Sequence, residues 1–142
     1  MSSYFWAGLA MVVLGVSSIC VNGCVLFIVL SSRNFGYAFG RICLSHTIAN
    51  IGNGLVFGLM VGPTTMNAPE FNLTYAGKRY GQLLIFFWNV SVFTHFLTAF
   101  NRYIIIQFPL QYAQIFSKKV THRAIAAAWI ISAAQVIPYF WS

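Results

Sequence analysis

Three histidines, three cysteines, eight lysines and arginines and a single carboxylate, Glu70, carry most of the ionisable chemistry of these 142 residues. Paired-carboxylate acid–base catalysis needs two acids and is excluded. Cys20, Cys24 and Cys43 lie in or beside apolar runs, where thiols pack as small hydrophobes; their odd number and positions argue against a disulfide framework. No Cys–His cluster has metal-ligand spacing and no glycine-rich phosphate loop occurs, so no catalytic residue, metal or cofactor is expected. What remains is a polar stripe. Leu84, Trp88, Ser91, His95, Thr98 and Arg102 recur in steps of three and four and share one helix face. In an apolar helix such a stripe is expected to face the interior of a bundle. His95 reads either as a proton relay or metal ligand or, the reading preferred here, as a satisfied interior histidine. His46 has the same two readings, and the pair can lie near each other.

The elements that hold this stripe follow from composition. The chain is 59% hydrophobic and only 6% charged, against about 25% charged in soluble domains, so it cannot cover a water-facing surface and belongs in a membrane. The uncharged runs are 1–32, 42–69, 80–101 and 124–142, and a spanning helix needs about 20 apolar residues. The expectation is an all-α integral membrane bundle, one membrane domain over 1–142, with helices at about 4–31, 38–63, 78–108 and 119–140. The first run lacks a basic leader and exceeds the apolar core of a signal peptide, about 7–15 residues, so it reads as a retained helix.

The net charge of +7 would suggest nucleic acid in a soluble protein. Here the basic residues punctuate apolar runs and report topology instead. Arg33, Arg41, Arg102, Lys118, Lys119 and Arg123 flank the first and third loops; Lys78 and Arg79, with Glu70, hold the second. Six against two places the first and third loops in the cytoplasm and both chain ends outside, as expected of a multi-pass plasma-membrane protein. Asn72-Leu73-Thr74 is a glycosylation sequon in the loop assigned outside, whereas Asn89-Val90-Ser91 matches inside a span, where no sugar can be added.

Gly54, Gly58 and Gly62 recur every four residues on one face, a spacing that lets helices approach closely. Packing within the chain is preferred to a dimer seam. Pro63 is expected to kink or end the helix, Ser117 or Thr121 to cap the fourth one, and Tyr139 and Trp141 to sit in the outer interface belt. Asn22, Asn50 and Ser91 are polar residues well inside three different runs. Asn50 and Ser91 lie roughly 13–17 Å from the inner surface, at about 1.5 Å per residue from Arg41 and Arg102. Similar depth predicts an interhelical polar cluster, because an unpaired amide in hydrocarbon costs several kcal/mol.

The run Asn101-Arg102-Tyr103, followed by Ile106, Pro109, Leu110 and Tyr112, resembles the Asp-Arg-Tyr box and second inner loop of rhodopsin-like seven-helix receptors. Asn22 with Val25, the stretch Ser45–Asn50, and Trp129 with Pro138 resemble the signatures of helices 1, 2 and 4 of that family. Ser45-His46-Thr47-Ile48-Ala49-Asn50-Ile51-Gly52 and the Pro-Leu-x-Tyr-x-x-Ile-Phe run at 109–116 are similar to nematode chemosensory receptors of the serpentine receptor class x. The resemblance implies a G protein-coupled chemoreceptor that detects a small molecule. It places Leu84, Ile85, Trp88 and Asn89 toward the ligand, and Asn101, Arg102, Tyr103, Pro109 and Leu110 in the switch that faces a heterotrimeric G protein.

Three departures from the family pattern accompany it. Asn50 replaces the helix-2 Asp that holds sodium, Asn101 replaces the charged neighbour of the box arginine, and Gly77 stands near the place of the helix-3 cysteine. Arg102 is therefore expected to rest on hydroxyls, amides, carbonyls or headgroups rather than on a carboxylate. Four spans are the front part of a seven-span receptor, so the chain reads as a fragment, truncated product or gene remnant, not signalling alone. The rival reading is a four-span interaction protein whose partners are membrane lipid and full-length receptors. A small transporter or membrane enzyme would want charged or metal-binding residues well within the spans, and Arg102, at a helix end, does not meet that need.

Overall fold

The computed structural model describes residues 3–32 and 36–140, with Phe140 described by its backbone alone. Arg33, one of the first-loop cations, and Trp141 of the expected outer belt lie outside the described residues. Helix α1 covers Ser3–Ser31, α2 Tyr37–Gly54, α3 Gly62–Asn67, α4 Tyr75–Gln107, α5 Tyr112–Ile115 and α6 Lys118–Val136. A π-helical segment, Leu55–Val61, joins α2 to α3, so one continuous span runs over Tyr37–Asn67. Four helices are long and apolar enough to cross a membrane, Ser3–Ser31, Tyr37–Asn67, Tyr75–Gln107 and Lys118–Tyr139, and no strand occurs among the described residues.

Helix α1 is apolar on every side, and it buries only Gly8 and Gly15. These two glycines are its docking points. A Cβ on Gly15 would stand 2.3 Å from the Gly58 Cα, and one on Gly8 would stand 2.7 Å from the Gly62 carbonyl oxygen. From the other side, Gly58 meets the Gly15 Cα at 2.8 Å, and Gly54 meets the Gly15 carbonyl oxygen at 3.0 Å. The seam is backbone on backbone, antiparallel, and internal to the chain. Hydrocarbon supplies no hydrophobic drive for helices to associate, so close packing of this kind must supply the attraction.

Pro63 neither ends the span nor stands in a plain α-helix. A proline ring clashes with the carbonyl four residues back and has no N–H to give it. The preceding Leu55–Val61 turns widen to π register, with the Gly62 N–H bonding the Phe57 carbonyl five residues back. Hydroxyls bond back onto the same stretch: Thr64 Oγ1, with one proton, lies 2.9 Å from both the Met60 and the Val61 carbonyl, and Thr65 Oγ1 donates to Val61 at 2.7 Å. Exposed backbone in a bilayer requires such internal service.

Asn72 closes the loop that follows, donating from Nδ2 to Thr65 Oγ1 at 2.9 Å and accepting from Thr64 Oγ1 at 3.2 Å. Thr74, the third residue of the same sequon, caps α4 by accepting from the Gly77 N–H. Gly77 is buried, and a Cβ there would lie 2.4 Å from the Phe71 carbonyl oxygen, so the site has no room for a cysteine.

Helix α4 packs against both α2 and α6. Its buried positions are Gly77, Gln82, Val90, Thr94, Asn101 and Ile104. The stripe from Leu84 to Arg102 is divided: Leu84, Ser91 and Thr98 are half-buried, whereas Trp88 is 63% exposed and His95 and Arg102 are exposed as well. The expectation that this stripe faces the interior is thus corrected for Trp88, His95 and Arg102. Val90 and Thr94, a small apolar residue and a hydroxyl that bonds its own helix, approach α2 more closely than Trp88 or His95 can. At the loop end, Ala38, Ile42, Ile104 and Phe116 form an apolar core with Leu97, Tyr112, Ile115 and Ile125 against it. Ser117 caps α6 by accepting from the Val120 N–H at 3.4 Å. Thr121, the other candidate cap, is buried within the helix instead.

The seam yields a direct test. Gly58→Val should lower the melting temperature of the detergent-solubilised chain by several degrees, by forcing a side chain into the α1 backbone. Gly23, also on α1, has nothing within 4 Å of an added Cβ. Gly23→Ala should therefore leave the melting temperature unchanged or raise it, since Gly in a helix costs roughly 0.5–1 kcal/mol relative to Ala. Equal losses in both variants would show that the seam does not hold α1.

Candidate functional site

Asn50 is the node of a polar network linking three spans. Its Nδ2 donates to Asn22 Oδ1 of α1 at 3.2 Å and to His46 Nε2, one turn back, at 3.1 Å. Its Oδ1 accepts from the Ser91 hydroxyl of α4. Because Nδ2 can only donate, His46 Nε2 must accept, so His46 is a neutral imidazole protonated at Nδ1. That Nδ1–H faces Thr94 Oγ1 at 3.1 Å, and Thr94 passes its own proton to the Val90 carbonyl at 2.7 Å. Asn22 completes the chain by donating to the Ser18 carbonyl at 2.8 Å. Asn22, Asn50 and Ser91 are therefore brought together, and His46 and Thr94, which depth alone did not single out, belong with them.

His95 departs from its preferred reading. It is exposed, forms no hydrogen bond among the described residues, and meets His46 only as a ring at 5.6 Å between centroids. The proximity of the two histidines is real, but one is engaged and the other faces outward. His46 has both nitrogens occupied, and among the described residues no group of three metal-ligating side chains occurs.

Above the network lies a cavity of about 440 Å³ between α1, the second span and α4. Leu84, Ile85 and Trp88 line it, together with Leu14, Phe57 and Asn53. Asn89, placed by sequence on the same ligand-facing surface, is not on its wall, because it sits one position past Trp88 and turns away by about 100°. Asn53 was not anticipated. It is half-buried on the cavity wall and has no hydrogen bond among the described residues. The i+3 spacing from Asn50 was the available signal.

Trp129 of α6 ties the bundle's other side, donating from Nε1 to Ser45 Oγ at 2.9 Å and meeting Phe86 edge-on at 5.7 Å. Phe87 lies flush on Gly52, where a Cβ would come within 2.5 Å of its ring. The glycine at 52 thus seats an aromatic of α4 rather than joining the α1 seam.

At the far end Asn101 is only 1% exposed and donates from Nδ2 to the Tyr112 hydroxyl at 3.0 Å. Its assignment to a G-protein-facing surface is corrected: it fastens the loop from within. Tyr112 stacks on Phe116 at 5.6 Å, and Tyr103 meets Phe108 edge-on at 6.4 Å. Between these anchors Leu110 projects, 95% exposed, next to Pro109 in the turn. Arg102 rests 5.4 Å over the Phe39 ring. Within the chain it meets a π face, a contact beyond the hydroxyls, amides, carbonyls or headgroups expected of it. A guanidinium over an aromatic ring gains roughly 0.5–2 kcal/mol without a carboxylate.

A profile of the family described as serpentine type 7TM GPCR chemoreceptor Srx matches residues 12–142, and the chain belongs to that family. This is the class that the runs at 45–52 and 109–116 resemble. No curated protein matches the chain.

The network predicts how substitutions combine. Asn50→Leu should destabilise the chain, and Ser91→Ala added to it should cost almost nothing more, since the Ser91 hydroxyl has already lost its interhelical partner; each such bond is worth about 0.6 kcal/mol on average in membranes. Asn50→Asp would set a carboxylate beside the His46 imidazole, a candidate counter-charge. Its loss in melting temperature should deepen when His46→Leu is added. Strict additivity in both pairs would remove the network.

Proposed function

We propose that this chain supplies helices 1–4 of a chemoreceptor that detects a small molecule and signals through a heterotrimeric G protein. The observation that carries the reading is the third loop. An almost fully exposed Leu110 stands on a turn pinned by the buried Asn101–Tyr112 bond, with Arg102 alongside. An apolar knob held rigidly at the end of a bundle is built to enter a partner's pocket. The cavity lined by Leu84, Ile85 and Trp88 supports the other half, a site of ordinary ligand size. Membership of the family supports both.

Seven-span receptors respond because a ligand binds two arrangements of the bundle with different strength. Four spans lack the elements that move. Expressed alone, the chain should give no G-protein response to an odorant panel. Co-expressed with the last three spans of a family relative, it should restore an odorant-driven response, and Leu110→Asp should cut that response at least ten-fold with surface expression unchanged. A robust response from the chain alone, or one indifferent to Leu110, would overturn this account.

A second reading, a four-span partner for full-length receptors, is favoured by Asn53 and His95. Both are polar groups at membrane depth with no hydrogen bond among the described residues. Co-purification with a full-length receptor, lost on Asn53→Leu and without any ligand response, would select it.

The proposed topology is a plasma-membrane protein with its N-terminus outside. Its support is that Arg41, Arg102, Lys118, Lys119 and Arg123 lie at one end of the spans, against Lys78 and Arg79 at the other. On this topology Asn72 is the site open to glycosylation. An N-terminal tag should be stained by antibody on intact cells; staining only after permeabilisation would reverse the orientation.

A further inference from the structure

The basic end of the bundle is organised around one ring. The Arg41 guanidinium carbon lies 5.6 Å from the Tyr37 ring centroid, and Lys118 Nζ lies 5.3 Å from the same centroid. His122 meets that ring edge-on at 5.9 Å, and its Nε2 is 3.3 Å from the Tyr37 hydroxyl. The His122 Nδ1 is 2.9 Å from the Lys118 carbonyl oxygen, so it donates there and leaves Nε2 to accept from the tyrosine. Tyr37 thereby joins the starts of α2 and α6 and gathers two cations, one from each.

No carboxylate can balance them. The sole acid of the chain, Glu70, lies in the 3-10 turn Pro69–Leu73, beyond the opposite end of the second span. Arg41 and Lys118 are both exposed, and Lys119 and Arg123 follow on α6. Two cations sharing one ring without an anion repel each other, and a π face offsets only part of that cost.

Beside them is a cleft of about 240 Å³ between the last turn of α1 and the first turns of α2. Val29, Leu30 and Leu44 form its apolar part, and Ser32, Tyr37 and Arg41 its polar part. Among the described residues no side chain caps the start of α2 at Gly36, so backbone amides of its first turn face the polar side. We propose that this cleft binds an anionic phospholipid from the adjoining leaflet. The headgroup phosphate sits against Arg41, Tyr37 and Lys118, and the acyl chain begins along Val29, Leu30 and Leu44. The apolar wall selects a lipid over a free anion. The uncompensated pair of cations selects a net-negative headgroup over a zwitterionic one.

Native mass spectrometry of the detergent-solubilised chain, with equimolar phosphatidylserine and phosphatidylcholine, reads this directly. Phosphatidylserine adducts should exceed phosphatidylcholine adducts about ten-fold. Arg41→Gln and Lys118→Gln should each lower the preference several-fold and together abolish it. Lys78→Gln, the same charge change at the opposite end, should leave it intact, and melting temperatures report whether each variant remains folded. Because headgroup contacts alone set the preference, the neutral change Leu44→Asn should weaken adducts of both lipids while preserving their ratio. Equal losses from Lys78→Gln would reduce the effect to net charge and overturn the site. Displacement of the lipid by millimolar inorganic phosphate would show an anion site without lipid selectivity and overturn it equally.

Discussion

A polar group in hydrocarbon must find its partner inside the protein, and Asn50 is where that constraint acts most strongly. Its one amide group satisfies α1 through Asn22, α4 through Ser91, and its own helix through His46. The individual bonds are weak by membrane standards, about 0.6 kcal/mol each on average, but leaving any of these groups unpaired costs several kcal/mol. The network therefore acts less as glue than as a selector of faces: rotating α1 breaks the Asn22–Asn50 bond, and rotating α4 breaks both the Ser91–Asn50 and the His46–Thr94 bonds. An amide suits this node because it both donates and accepts, where a carboxylate only accepts.

The same requirement explains the second span beyond Gly54. Pro63 removes a donor and displaces a carbonyl. The π turns of Leu55–Val61, the hydroxyls of Thr64 and Thr65, and the side chain of Asn72 form a continuous sequence of repairs from the proline to the loop. Two threonines directly after a proline in an apolar run have a structural reason here. So does the asparagine of the sequon, whose nitrogen is held against α3. The loop is shaped by the helix it follows.

The four spans were legible because charge is so scarce that the uncharged runs mark them; the boundaries differ from the structure by a few residues, most at Asn67, where Thr64 and Thr65 carry the helix past Pro63. The depth match of Asn22, Asn50 and Ser91 was legible because rise per residue is fixed. Facing was not. The spacing of Trp88, His95 and Arg102 reveals that they share a side, but not which neighbour stands there, and the smaller Val90 and Thr94 take the close contact with α2. The ring beside Arg102 was not legible for a related reason: Phe39 is 63 residues earlier in the chain. Gly8 and Gly15 escaped notice because they are seven apart and the eye looks for four. Antiparallel packing against Gly58 and Gly62 reads them two turns apart.

Helix α1 carries a consequence for how this chain can vary. Of 29 residues, only two glycines are buried, and most of the others meet lipid. Apolar side chains facing lipid exchange for one another at little cost, so Val13, Val21, Phe27 or Ile28 are free to drift across a lineage. Gly8 and Gly15 are not, since any side chain meets the backbone of the neighbouring span. The heritable information that seats this helix thus resides chiefly in two positions without side chains and in Asn22. Two descendants can lose nearly all recognisable similarity over α1 and still place it against the same groove.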